Sequence, residues 1–464
     1  MHLMRWVNFL HIYQPPSQTP EILRRATEES YKKIVEQLDL VPEGKLTINI
    51  SGALTELLHH HGYDDVLADY RRLLERGQIE LTESACYHPF LPALPRAEII
   101  RQIELNQKIN REHFGPSYQP KGFYAPEMVY TPELGNIIRE LGYRWALIDE
   151  ASYPGSLPDA NCVYQSEDIP GLDIFFRNRN FSFEILSAQI DKVDDFKKSL
   201  GDRLEQDVYV LTGMDGETFG HHRYGLEKLL GALLQALPTA TISELYELFP
   251  LRKSITAVQG TWALLSLDEA RREPFSRWWN LKNDIHKLQW ELTDLAIKVG
   301  SSQGEGESRN TLDQALHSDQ YWWASAKPWW NIDMIGQGAT ELLDAVLTAP
   351  GVSEDDKSHA AKLFQEILRT AFHWRASGYV DKLVTEFIDE EARFRIESGL
   401  TGQPVEKIQA LIADLQRQLD VAVAATEYNR ASDFKRRIGE LQAELKNIAG
   451  KKADNEGEQG DWGT

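Results

Sequence analysis

Seven short apolar runs, each followed by a stretch of helical periodicity, fill the first half of this chain and leave few folds open to it. They lie at residues 5–11, 46–51, 78–83, 121–125, 144–149, 173–177 and 207–213. Runs this short, rich in β-formers and bounded by Gly, Pro and Asp, read as strands buried on both faces, the condition of a parallel sheet. Alternation with helices makes the class α/β, and seven strands predict a (β/α)7 barrel or near-barrel. Helix starts agree with that count. Thr19-Pro20-Glu21 and Thr131-Pro132-Glu133 each offer a capping hydroxyl, a proline at the first helical position and an acid in the first turn.

Two of the strand ends carry carboxylates. The stretch VYVLTGMDGETFGHH, residues 208–222, is an apolar run that stops at Asp215 and Glu217 among glycines and histidines. GFYAPEMVY, residues 122–130, has the same build and ends in Pro126-Glu127. In parallel α/β folds the C-terminal ends of strands carry ligands and catalytic groups. Two such acids with aromatics beside them suggest a carbohydrate-cleaving pair, provided they meet in space. Each has a blander reading, Glu127 as a helix acid facing the dipole and Asp215-Gly216 as a turn pair. Phe219, His221 and His222 weaken the second, because a simple turn needs neither an aromatic nor two imidazoles. Arg177, after the sixth run, reads equally as a cation orienting the acids or as a structural ion pair. Glu80, on the third, faces either the mouth or an interior hydrogen bond. His11, followed by Gln14-Pro15-Pro16, is a candidate donor to sugar hydroxyls.

Beyond residue 249 the texture becomes helical, with periodicities at 283–299, 312–324, 340–349, 353–376 and 379–398, and a Gly/Ser loop at 300–308. Seven of the twelve tryptophans fall between Trp278 and Trp330, as core anchors or a sugar platform. Farther on, Ile408, Leu411, Ile412, Leu415 and Leu419 form one apolar stripe, and Ala431, Phe434, Ile438, Leu441, Leu445 and Ile448 another, either side of residues 426–429. This predicts an antiparallel helical hairpin or short coiled coil, a surface for a protein partner or self-association.

A net charge of −21 argues against a nucleic-acid surface. With Cys86 and Cys162 the only cysteines, neither a disulfide framework nor a cysteine-rich zinc site is available. The start, MHLMRWVNFLHIYQPP, is apolar for too few residues to be a signal peptide and reads as the first core strand. No apolar run approaches the roughly 18 residues of a membrane span, so the expected location is the cytoplasm.

Taken in order, these stretches resemble glycoside hydrolase family 57, the retaining α-glucan-acting enzymes built on a (β/α)7 barrel. His11-Ile12-Tyr13-Gln14-Pro15 matches the family's first-strand block, with tyrosine in place of the second histidine. Gly77-Gln78-Ile79-Glu80 with Tyr87-His88-Pro89 is similar to the second block. Phe123-Tyr124-Ala125-Pro126-Glu127 matches the third, with Tyr124 where tryptophan is usual, and Met214-Asp215-Gly216-Glu217 the fourth. Ser318-Asp319-Gln320-Tyr321-Trp322-Trp323 is similar to the helical region. The resemblance implies that Glu127 is the nucleophile and Asp215 the general acid/base, so that Glu127 is ionised and Asp215 carries a raised pKa. Substrate contacts are expected from His11, Gln14, Glu80, His88, Tyr124, Arg177, Glu217, His222 and Trp323. An oligo- or polysaccharide is the expected partner, and no cofactor is implied.

The expected layout is a catalytic barrel over 1–249, an aromatic-rich helical domain completing the cleft over 250–400, a hairpin over 401–450 similar to the UVR type, and a disordered tail over 451–464. The expected activity is α-amylase-like hydrolysis, with 4-α-glucanotransferase or branching activity on the same site as the alternative. A non-catalytic glycan-binding scaffold is another reading. Zinc-dependent α-mannosidase or deacetylase chemistry is weighed because related barrels use zinc, but Tyr13 interrupts the first-strand histidine pair and His59-His60-His61 reads as a solvated helix end.

Overall fold

The computed structural model describes residues 4–301, 306–397 and 405–424, with positions 431, 434, 435, 438, 439, 441, 442 and 445. Its strands are β1 (Arg5–Ile12), β2 (Leu46–Ile50), β3 (Ile79–Leu81), β4 (Gly122–Tyr124), β5 (Trp145–Asp149), β6 (Val163–Ser166), β7 (Asp173–Arg177), β8 (Tyr209–Asp215) and β9 (Arg252–Ile255). All seven expected runs are strands. They fall into two sheets, β3-β2-β1-β8 and β4-β5-β7-β6-β9. The margins of the sheets hydrogen-bond to each other. Beyond β3, Glu83 donates its N–H to Gly122 and accepts from Tyr124, both at 2.9 Å, and beyond β7 the Asn178 N–H reaches the Leu211 carbonyl at 2.7 Å. The extra pair β6 and β9 was not expected. Strand β9 is short and largely polar, so it carries no apolar run to read.

Side chains alternate along each strand. Val7 and Phe9 on β1, Tyr209 and Leu211 on β8, Trp145 and Leu147 on β5, and Phe175 on β7 meet in a buried interior with Tyr124. Each buried side chain of this size contributes about 1.5–3 kcal/mol. Farther along the same inward rows come His11 and Asp215, register partners at the ends of β1 and β8. Opposite residues of those strands, Trp6, Leu10, Ile12, Val210 and Met214, pack outward against the helices.

A third core unites the other half of the chain with the first. It joins Phe123, Ile148, Ile174 and Phe176 of the strands to Leu292, Ile335, Leu342 and Ile367 of helices Asp284–Gly300, Ile332–Leu347 and Glu354–Ala376. The helix expected at 312–324 is broken. Helix Glu307–Ala315 stops, and a separate turn spans Asp319–Trp322. The break frees backbone for other partners, as Ser318 donates its N–H to the His88 carbonyl at 2.9 Å. In the last segment, helix Val405–Ala424 contributes Leu415 and Ala422 to a separate cluster with Ala431, Phe434, Ile438 and Leu441. Residues 302–305, 426–429 and 451–464 lie outside the described residues.

Candidate active site

Glu127 stands in the 3-10 turn Pro126–Met128 that follows β4, with φ at 59°, and Met128 follows at 48°. Left-handed backbone at non-glycine residues costs of order 1–3 kcal/mol each and persists only where the surroundings enforce it. Here Thr261 donates its hydroxyl to the Glu127 carbonyl at 2.6 Å, and Trp262 donates Nε1–H to Glu127 Oε2 at 3.0 Å.

Tyr124 feels the charge of both acids. Its buried ring lies 4.8 Å from His11 and 5.7 Å from Trp262, centroid to centroid. After burial itself, the charges of Glu127 and Asp215 both raise its pKa. Its hydroxyl is buried without a hydrogen-bond partner. Burial and then the neighbouring charges of Asp319 and Asp215 push Glu127 up to about 8, against the pull of Trp262 and Arg277. Burial raises Asp215 to about 6, with Arg177 opposing. Burial thus shifts both acids toward the protonated form. Glu217 also stands at about 8, raised by burial and by Asp215.

Each acid has a guanidinium acting on it. Arg177 donates to Asp149 Oδ2 and to the Gly213 carbonyl, both at 2.6 Å, which fixes it beneath the end of β8. Arg277, buried on the helical side, is held by Asp268 at 2.7 Å and keeps one buried terminal nitrogen without a partner. Sequence reading missed it because it lies inside an aromatic run that reads as core.

A column of rings lines another wall. Tyr13 stacks on His88 at 4.2 Å, and His88 on His11 at 5.1 Å. His11 Nδ1 pairs with Asn49 Oδ1 at 2.8 Å, and burial with the nearby His88 keeps its imidazole well below the usual range, so it is neutral. Burial likewise lowers His88 to about 4, and its Nε2 is buried without a partner. Its backbone is also left-handed, φ 55°. Tyr13 donates to Asp319 Oδ2 at 2.7 Å, and Asp319 lies 3.3 Å from His317, which Glu341 holds from the other side at 2.8 Å. Burial disfavours charge on His317, but these two carboxylates outweigh it and raise it to about 10. Tyr13 therefore replaces a histidine while serving a carboxylate brought in by the broken helix.

Gln14 donates to Glu217 Oε1 at 3.2 Å, and Tyr31 donates to the same oxygen at 2.5 Å. Gly216 lets Asp215 and Glu217 sit so close to β1, since a Cβ there would fall 2.3 Å from Ile12 Cγ2.

Three expected contacts stand apart from this cluster. Glu80 lies among the starts of the strands, where its carboxylate accepts from the Ser243 N–H at 2.9 Å and from the Ser243 hydroxyl. It is an interior acceptor there, because alternation on so short a strand turns it toward Thr47 and the 239–244 loop rather than the mouth. His222 is exposed, its N–H bonded to the Glu217 carbonyl at 2.7 Å. Trp323 is half-buried, edge-on to Trp329 at 5.7 Å, one turn beyond Asp319. As for zinc, among the described residues the group with metal-ligand spacing is His59, Asp64 and His113, and none of these belongs to the site.

Two strand-end carboxylates with aromatic side chains beside them, on a parallel α/β core, fit the class of glycoside hydrolases. The sequence pattern of glycosyl hydrolase family 57 matches residues 8–256, and the chain belongs to that family. It is similar to an α-amylase of Pyrococcus horikoshii, 29% identical over 223 residues, a match covering 46% of this chain and 34% of that protein. It is equally similar to a 4-alpha-glucanotransferase of Thermococcus kodakarensis, 29% identical over 226 residues, 47% of this chain and 34% of the relative. These matches span about a third of the relatives' length. In fold it is similar to the 4-alpha-glucanotransferase of Thermococcus litoralis, TM-score 0.58 at 21% identity, over 74% of this chain and 58% of that one. A GH57 branching enzyme from Thermococcus kodakaraensis gives TM-score 0.59 at 16% identity, over 79% and 96%.

Proposed function

We propose that this chain cleaves α-linked glucans with retention, on a seven-stranded barrel formed by β1, β2, β3, β4, β5, β7 and β8, its cleft completed by the helical segment. One arrangement carries the reading: the strand-end acids Glu127 and Asp215 both bear on the buried Tyr124, whose hydroxyl has no hydrogen-bond partner. Asp215, protonated, donates to the glycosidic oxygen as its bond to the anomeric carbon breaks, and Glu127 attacks that carbon to form a glycosyl ester. Asp215, now a carboxylate, takes a proton from water as the water oxygen displaces Glu127, restoring both groups. His11, Tyr124 and His88 offer polar atoms to sugar hydroxyls, and Arg177 moderates the charge left on Asp215.

Both carboxyls have raised pKa values, so the two titrate as a pair. Catalysis uses the form with a proton on Asp215 alone, so the profile is bell-shaped, with limbs belonging to the pair rather than to either residue. Hydrolysis is the primary reading. Transfer of the glycosyl unit to another sugar is the second, favoured by the names of the glucanotransferase and branching relatives. Incubation of the pure protein with maltooligosaccharides distinguishes them: shorter products alone indicate hydrolysis, longer ones transfer, and new branch points branching. Tight glucan binding without any product would leave a scaffold and end the enzyme reading.

A further inference from the structure

Three helix ends converge on the shell away from the site. Helix Gly52–His60 leaves the end of β2 and runs back toward the strand starts, with His59 in its last turn. Helix Arg96–Phe114 ends nearby with His113 in its last turn, and helix Asp64–Glu75 begins with Asp64. Gly62, at φ +80°, makes the tight turn that brings Asp64 back against His59. His59 Nδ1 and Asp64 Oδ1 are 2.7 Å apart, and the His59 and His113 rings are 4.9 Å apart.

We propose that His59, Asp64 and His113 form a binding site for a divalent transition metal, with zinc the best fit, that clips these three helices together. One ligand atom from each lies within 4.8 Å of the others. Metal–nitrogen and metal–oxygen bonds of about 2.0–2.1 Å place tetrahedral ligands about 3.3 Å apart. The exposed His59 and Asp64 side chains are free to close that gap by small rotations. Two imidazoles and one carboxylate suit zinc, with water in the fourth position. The C-terminal ends of two helices add partial negative charge where a cation would sit, and Glu56 and Glu112 add more from alongside. Sequence reading took His59 for part of a solvated helix end because His113 arrives from a separate helix.

The test uses full-length, tag-free protein stripped with a chelator and titrated with zinc by calorimetry, and with cobalt by visible absorption. One zinc per chain at about micromolar affinity, a tetrahedral cobalt spectrum and a zinc-dependent rise in Tm are expected. His59→Ala and His113→Ala should each weaken binding by more than about 100-fold, while the double variant His60→Ala/His61→Ala retains it. No saturable binding below millimolar zinc, unchanged affinity in His59→Ala and His113→Ala, or loss confined to the His60/His61 variant would each overturn the proposal.

Discussion

Glu80 and Glu127 are both buried carboxylates with raised pKa values on parallel strands, and they lie at opposite ends of the strand layer. At the strand starts, Glu80 is enclosed by donors from Ser243 and Thr47. At the strand ends, Glu127 accepts from Trp262 at one oxygen, its backbone is left-handed, and around it stand a tyrosine hydroxyl and a histidine nitrogen without partners. Burial is common to both, so burial does not mark function. Unspent hydrogen-bonding capacity beside strained backbone does, because a fold retains such costs only where something else benefits.

The contrast breaks most readily at the two glutamates. Glu127→Gln should lower kcat by about 10⁴-fold or more with the protein still folded, and near-normal turnover of maltooligosaccharides would remove Glu127 from the chemistry. Tyr124→Phe deletes a hydroxyl that the fold does not use, so Tm should hold while KM rises about 10-fold, one lost hydrogen bond to substrate. A drop in Tm with KM unchanged would make Tyr124 structural after all. Glu80→Gln should do the converse, costing about 1–3 kcal/mol in denaturant unfolding and leaving kcat/KM near wild type. If it instead silenced the enzyme at unchanged stability, the two ends would not differ as described.

The smallest effect is a matter of protons. Glu127, Asp215 and Glu217 all have folded pKa values above their ordinary ones, so folding takes up protons and their contribution is fully present below about pH 4. It is lost as pH rises through about 6 for Asp215 and about 8 for the two glutamates. Glu127→Gln, which cannot ionise, should therefore raise Tm at pH 8.5 by about 2 °C and change it little at pH 5. Equal shifts at both values would indicate a packing effect instead.

Much of this was legible in the residues. The strand runs were legible because burial on both faces leaves continuous apolar segments, and the strand-end positions of Glu127 and Asp215 because proline and glycine punctuate strand ends. Glu80, placed among the substrate contacts only by the resemblance, stays open in the residues themselves because a three-residue strand has too little pattern to tell which end of the layer its acid serves. Trp262 and Arg277 escaped notice since neither belongs to a strand-end motif, and what makes them matter is contact with Glu127's surroundings across the fold. How far each acid is shifted also lies beyond sequence, because it depends on how many charges converge and how deeply.

The interrupted helix near residue 316 has an engineering consequence. Because Asp319 reaches Tyr13 only through that discontinuity, the strand layer cut free at residue 249 would not be a minimal enzyme: it would lack one wall of its own mouth. Anyone grafting this scaffold onto another helical partner would have to carry the kink across with it, and a straightened splice would leave the Tyr13 hydroxyl without its acceptor.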